Sequence, residues 1–236
     1  MDFETDIWTG PGRAAVFLDR DGTVNQEVQY LSKPEQMKLM PRAGQAIARL
    51  NQAKLPVIIV TNQSGIARGY YSEDDLHAIH ARMDELLAEH GASVTAYYYC
   101  PHHPQAKIEQ YRVDCECRKP RTGMLFAAAA QENVALGQSY LVGDKRSDLD
   151  AAHHAGCQPI LVRTGYGTRA EAGLRREAAE YVRDVRETIV NDLSAAVDHI
   201  LLSSSTPPQG EKIKPPKFMA TFAYPRPGIG RYRPQA

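Results

Sequence analysis

The 236-residue chain contains no run of 18 or more apolar residues, so the sequence offers no candidate membrane-spanning helix. It also lacks net charge: 28 basic residues face 28 acidic ones, and the pI is near 7.1. That balance gives no reason to expect a nucleic-acid partner. The opening residues, MDFETDIW, are acidic and lack the basic-then-apolar pattern of a secretory signal. The expectation is a cytoplasmic protein. Cysteine is scarce, at four residues, and in that compartment these read as metal ligands or free thiols rather than disulfides. No internal repeat is visible.

What is present is unevenly distributed. Residues 203–236 hold six of the 28 basic residues, one acid and seven of the 15 prolines. Residues 1–202 keep 22 basic and 27 acidic residues, a net charge of −5. An anionic substrate would therefore need locally placed cations. The composition divides the chain into one domain, 1–202, and a basic, Pro-rich tail, 203–236, expected to be disordered.

Within the domain, short apolar runs alternate with longer amphipathic ones. Strands are predicted at 14–18, 56–60, 94–99, 139–142 and 159–162, and helices at 43–53, 72–90, 123–133 and 146–155. Ser72 followed by three acids is a good helix start, and Gly91 a good stop. Residues 170–202 read as helical, with a possible short strand near EYVRDV. This rhythm predicts an α/β fold, a parallel sheet with helices on both faces. In such sheets ligands bind at the carboxyl ends of the strands.

Three strand ends carry polar residues suited to phosphate chemistry. FLDRDGTVN ends the first in Asp19-Arg20-Asp21-Gly22, the second ends in Thr61-Asn62-Gln63-Ser64, and the fourth in Gly143-Asp144-Lys145 with Asp148 beyond. Asp19 can attack phosphorus to give an aspartyl-phosphate. A cation must then separate the carboxylates from the anionic substrate. Asp19, Asp144 and the backbone carbonyl of Asp21 would offer hard oxygens to Mg²⁺. Gly22 permits a turn that aims Asp21 separately, to protonate the leaving oxygen and later deprotonate water. Lys119, before a predicted helix, would neutralise the transferring group while Thr61 donates a hydrogen bond to it. Asp148 reads as orienting Lys145 or capping its helix. Each motif alone reads as a turn or cap; their ordered set points to phosphoryl transfer.

FLDRDGTVN, TNQSGIARG, YYYCPHHP, CECRKPRTGM and YLVGDKRSDLDAA together resemble the haloacid dehalogenase (HAD) superfamily of phosphohydrolases. Within it they resemble the D-glycero-D-manno-heptose-1,7-bisphosphate 7-phosphatase family. The histidinol-phosphate phosphatase domain is the nearest competitor. The resemblance spans about residues 13–167. It implies a HAD-like Rossmannoid sheet without a large cap domain, acting as a monomer on a small phosphorylated sugar in nucleotide-activated heptose and lipopolysaccharide precursor synthesis. It implies Asp19 as nucleophile, Asp21 as acid/base, Mg²⁺ on Asp19, Asp21 and Asp144, and Thr61 and Lys119 on the transferred phosphate. Arg118, Lys145, Asn62, Gln63, Ser64 and the segment Glu27, Val28, Gln29, Tyr30 would contact the substrate. A non-catalytic zinc-stabilised binding module is the reading from a different class; the intact Asp19, Asp21, Lys119 and Asp144 argue against it.

The segment 100–117 places Cys100-x-His102 twelve residues before Cys115-x-Cys117. Two thiolate-bearing pairs can close a tetrahedral zinc site, with His103 as an alternative to His102, although one-residue spacings are tighter than usual. The resemblance favours zinc, since the family carries this loop. Four protein ligands leave no place for water, so this Zn²⁺ would be structural. Disulfides or idle thiols are the other reading. Cys157 reads as a small buried residue, and His153 and His154 as surface or packing residues.

Overall fold

The computed structural model describes residues 12–176, 188–204 and 228–234. Runs rich in β-branched and aromatic residues form β1 (Val16–Leu18), β2 (Val57–Asn62), β3 (Ala96–Cys100), β4 (Tyr140–Gly143) and β5 (Gln158–Val162). The helices are α1 (Ala43–Gln52), the single turn α2 (Ser64–Ala67), α3 (Glu73–Ala88), α4 (Gly123–Glu132) and α5 (Arg146–Ala155). Except for α2, which the sequence reading lacks, these agree with expectation to within two residues at either end. Ser72 starts α3 as expected: its hydroxyl accepts from Asp75 N at 3.1 Å, and the Asp75 carboxylate accepts from Ser72 N at 2.8 Å. Then follow α6 (Gly167–Leu174), β6 (Ile189–Val190), α7 (Leu193–Ser204) and β7 (Gly230–Tyr232). The strand expected near EYVRDV lies outside the described residues.

The seven strands run in the order β6-β5-β4-β1-β2-β3-β7. All neighbouring pairs are parallel except β3 with β7. Side chains alternate between two cores. Val16, Leu18, Val57, Ile59, Tyr97 and Val142 face α1, α3 and α7, whereas Phe17, Ile58, Val60, Tyr98 and Leu141 face α4 and α5. Burial on both faces is why these strands read as unbroken apolar runs.

The structure corrects the tail. Ser203 and Ser204 complete α7, and residues 230–232 form an edge strand paired antiparallel with β3, Tyr98 opposite Arg231. Arg231 and Arg233 both pair with Glu132 on α4, and Ile229 packs on the α4–α5 core. Proline and charge marked this stretch as unstructured, yet Gly-Ile-Gly-Arg-Tyr-Arg holds a short strand that pairs with Tyr97, Tyr98 and Tyr99, far upstream in the chain. Residues 205–227 lie outside the described residues.

Candidate active site

The strand order sets β1 between β4 and β2, so three strand ends meet at one edge. Leu18 pairs with Ile59 and with Val142. Asp19 is one residue further, its N–H bonded to Val142 O at 2.9 Å. Thr61 and Asp144 lie two residues past those partners, at the same height. Gly22 and Gly165 then close around Asp144 with φ of +85° and +55°; a Cβ on either would stand 2.2 Å from Asp144 Oδ2. Lys119 comes from the loop before α4. Asn62 pins that loop, accepting from Lys119 N and donating to Lys119 O, both at 3.0 Å.

The Lys119 ammonium is buried, donates to Asp19 Oδ1 at 2.9 Å and Val60 O at 2.6 Å, and forms an ion pair with Asp148 Oδ1 at 2.6 Å. Burial would raise the Asp19 carboxyl, but Lys119 and Lys145 together outweigh it and hold it down at about 2. Asp19 is thus ionised and available as a nucleophile at neutral pH. Asp144 goes the other way: burial, then the charge of Asp19, raises it to about 7 despite the opposing pull of Lys145.

The donor set fits a divalent cation. The Lys145 ammonium stands 3.4 Å from Asp19 Oδ2, 3.4 Å from the backbone oxygen of Asp21 and 2.9 Å from Asp144 Oδ1. These are the three oxygens expected to hold Mg²⁺, and they already converge on one positive charge. Asp148 shares this cluster of carboxylate oxygens. It is occupied elsewhere, with Oδ1 on Lys119 and Oδ2 accepting from Lys145 N at 3.0 Å at the start of α5. It therefore caps its helix, as expected, and holds Lys119 rather than the Lys145 ammonium.

A cavity of about 600 Å³ opens over these groups. Asp19, Asp21, Glu27, Gln29, Tyr30, Thr61, Asn62, Ser64, Arg118, Lys119 and Lys145 line it. Two expectations need correction. Val28 is 45% exposed and does not line the cavity, because the chain turns at Gln29 with φ of +65°. Gln63 borders the cavity, but its amide is engaged by protein on all sides. Nε2 donates to Asp21 Oδ2 at 3.0 Å and Thr61 Oγ1 at 2.8 Å; Oε1 accepts from Tyr71 at 2.5 Å and Arg20 at 3.3 Å. Gln63 is a brace, not a substrate contact. The sequence reading also misses Arg20, Tyr71, Ser147 and Tyr166 in the lining. Arg20 stood inside the quoted motif; Tyr166 gave no signal, although its N–H bonds Asp144 Oδ2 at 2.8 Å.

Beside the cavity, Cys100, His102, Cys115 and Cys117 bring three sulfurs and one imidazole nitrogen within 4.8 Å of one another, with the three sulfurs 3.1 to 3.4 Å apart and His102 Nδ1 3.4 Å from Cys117 and 3.9 Å from Cys100. Tetrahedral bond lengths of ~2.3 Å to sulfur and ~2.0 Å to nitrogen imply edges of similar size. This group could hold a metal ion. His102 takes the place rather than His103, which bonds Arg68 and Gln105 instead. Arg118 follows directly and donates to His102 O at 3.3 Å, so the cluster steadies a cavity cation. Cys157 is buried and His153 and His154 are exposed, as expected.

Comparison with known proteins bears on this geometry. A HAD-hydrolase-like family model matches residues 116–188, which include Lys119 and Asp144. The D-glycero-D-manno-heptose-1,7-bisphosphate 7-phosphatase of Thermosynechococcus vestitus is 45% identical over 192 residues, 80% of this chain and 95% of that protein. The chain belongs to this HAD-superfamily phosphatase family. The Salmonella typhi D-glycero-beta-D-manno-heptose-1,7-bisphosphate 7-phosphatase is 40% identical over 71% of this chain and 88% of its own length. Among solved structures, the B. bronchiseptica D,D-heptose 1,7-bisphosphate phosphatase, complexed with magnesium and phosphate, is 38% identical. It superposes with a TM-score of 0.70, over 80% of this chain and 98% of that one. Family membership makes the chain a phosphoric monoester hydrolase and bears out the resemblance read from its motifs. Among the described residues, no helix is long and apolar enough to cross a membrane.

Proposed function

We propose that the chain removes the 7-phosphate of D-glycero-D-manno-heptose 1,7-bisphosphate in the cytoplasm, with Mg²⁺ as its catalytic ion and Zn²⁺ on Cys100, His102, Cys115 and Cys117 as a structural one. The product would feed nucleotide-activated heptose and lipopolysaccharide precursor synthesis. One observation carries the reading. Asp19 keeps one oxygen on the Lys119 ammonium and the other at the point where Asp19, Asp21 and Asp144 offer oxygens to a cation.

Held by Asp19, Asp21 and Asp144, Mg²⁺ would offset the repulsion between the carboxylates and the substrate phosphate. Asp19 attacks phosphorus as the bond to the sugar oxygen breaks, and Asp21 gives that oxygen a proton. Thr61 Oγ1 already accepts from Gln63, so its own hydrogen is free for a phosphate oxygen. Lys119 compensates the charge on the transferring group. Water then attacks the phosphorus of the aspartyl-phosphate and yields its proton to Asp21, which regenerates Asp19 and releases orthophosphate. Arg118 and Lys145, with Glu27 3.8 Å from the Lys145 ammonium and Gln29 and Tyr30 also lining the cavity, would hold the rest of the sugar phosphate. The working unit proposed is a monomer.

The test is phosphate release from both anomers of the heptose bisphosphate, from other sugar phosphates and from histidinol phosphate, each with and without Mg²⁺. The reading requires Mg²⁺-dependent turnover with the heptose bisphosphate preferred. Preference for histidinol phosphate would replace the substrate and keep the chemistry.

A further inference from the structure

Asp21 is held by neighbours that the reaction scheme does not use. Arg20 bends its guanidinium back onto it: Nη2 is 2.9 Å from both carboxylate oxygens and Nε is 3.1 Å from Oδ1. Asn25 Nδ2 donates to Oδ1 at 3.0 Å and Gln63 Nε2 to Oδ2 at 3.0 Å. Arg20 is only 1% exposed, the largest side chain buried so completely among the described residues. A buried guanidinium is costly unless its donors are met. Besides Asp21, it finds Gln63 Oε1 at 3.3 Å and His80 Nε2 at 3.4 Å. His80 is itself buried and stacked on Tyr97, with ring centroids 4.4 Å apart. Burial and the adjacent Arg20 keep its imidazole neutral, so Nε2 can accept.

A chain that needed only a turn after Asp19 would have no use for a desolvated cation here. A planar fork meeting a carboxylate on two oxygens fixes its rotation as well as its position, which a point charge cannot do. Gln63 extends the brace. The two hydrogens of its amide go to Asp21 and Thr61, tying the side that serves the leaving oxygen to the side that holds the phosphate.

We propose that Arg20, seated on His80 and Gln63, is a positioning residue that sets the orientation of the Asp21 carboxylate toward the leaving oxygen. The inference rests on the assignment of Asp21 as acid/base, and the experiment separates the two. Single-turnover transfer to the enzyme is measured with a sugar phosphate, whose alkoxide must be protonated as it leaves, and with p-nitrophenyl phosphate, whose weakly basic leaving group departs without a proton. D21N tests the acid assignment. It should slow the sugar phosphate by about 10²-fold or more and the aryl phosphate by less than about 5-fold. Without that split, the assignment itself fails.

R20K keeps the charge and loses the fork. It should slow the sugar phosphate by about 10- to 100-fold, with the aryl phosphate little changed and the KM of both nearly constant. Equal loss on both substrates would reduce Arg20 to a structural role, and no loss on either would remove it from the mechanism. Should R20K fail to fold, as judged by thermal melting, H80L carries the test. It removes one support of the guanidinium without touching the fork, and the same split is expected at about 3- to 10-fold. An even loss, or none, overturns the proposal.

Discussion

At Asp19 two large effects oppose each other. Burial disfavours its charge, and two ammonium groups within 3.4 Å more than restore it. D19N removes the nucleophile while Lys119 keeps Asp148 and Val60 O as partners. Turnover should fall by more than about 10³-fold, whereas the melting temperature should move by only a few degrees. Phosphate release near the wild-type rate would refute the nucleophile. The chemistry at this scale was readable because Asp19, Asp21, Thr61, Lys119 and Asp144 each follow an apolar run or loop at fixed spacing. Arg20 and Gln63 were not, since their roles depend on the paths of long side chains folded back under the site. Val28 failed because the turn at left-handed Gln29 leaves its side chain in solvent, while Glu27, Gln29 and Tyr30 on either side still line the cavity.

Two short elements tie distant parts of the chain to the site. The segment 100–117 has few apolar residues to hold it, and its anchor is the Cys/His cluster. Replacing Cys115 by Ala should lower the zinc content from one ion per chain to a small fraction, measured by metal analysis. Proteolytic cleavage within residues 100–119 should quicken; an unchanged zinc content contradicts the site. The cluster was legible as four ligand-type residues in two pairs. Strand β7 was not, because a three-residue edge strand in a Pro-rich stretch leaves no periodicity to read. Its contribution can be isolated through Glu132, whose carboxylate accepts from Tyr98 and is paired with Arg231 and Arg233. Truncation after Ser204 removes both arginines and the pairing with β3. The melting temperature should drop by about 3–10 °C, corresponding to roughly 1–3 kcal/mol of lost pairing. Glu132→Ala should cost clearly less in the truncated chain than in the full one, a coupling that a double-mutant cycle reads directly. Additive losses would mean that β7 and Glu132 stabilise the fold independently.

At the scale of the whole molecule, the parallel sheet followed from the alternation of strands and helices, whereas the strand order that puts β4, β1 and β2 side by side had no signal in it. What no sequence pattern carries is the electrostatic consequence: two buried carboxylates at adjoining strand ends, one held down at about 2 and the other raised to about 7. The raised group sets a pH dependence whose sign is fixed. Asp144 binds a proton more tightly in the metal-free fold than in the unfolded chain. Its contribution to stability is therefore full below the ordinary carboxylate range and is lost as pH rises through about 7. Asp19 contributes in the opposite sense, but its loss occurs only as pH falls toward about 2, outside this window. On the proposed assignment, Mg²⁺ would need the ionised Asp144 carboxylate and compete with its proton. Apparent Mg²⁺ affinity should weaken by up to about tenfold per pH unit below 7 and level off above it. The gap in melting temperature between Mg²⁺-saturated and Mg²⁺-free protein, the latter prepared by dialysis without chelator so that zinc is kept, should accordingly widen from pH 5.5 to 7.5. K145M removes the ammonium that stands among the three ligand oxygens, so it should enlarge that gap at every pH by destabilising the metal-free form. A gap that stays constant with pH would show that Asp144 does not take part in binding the cation.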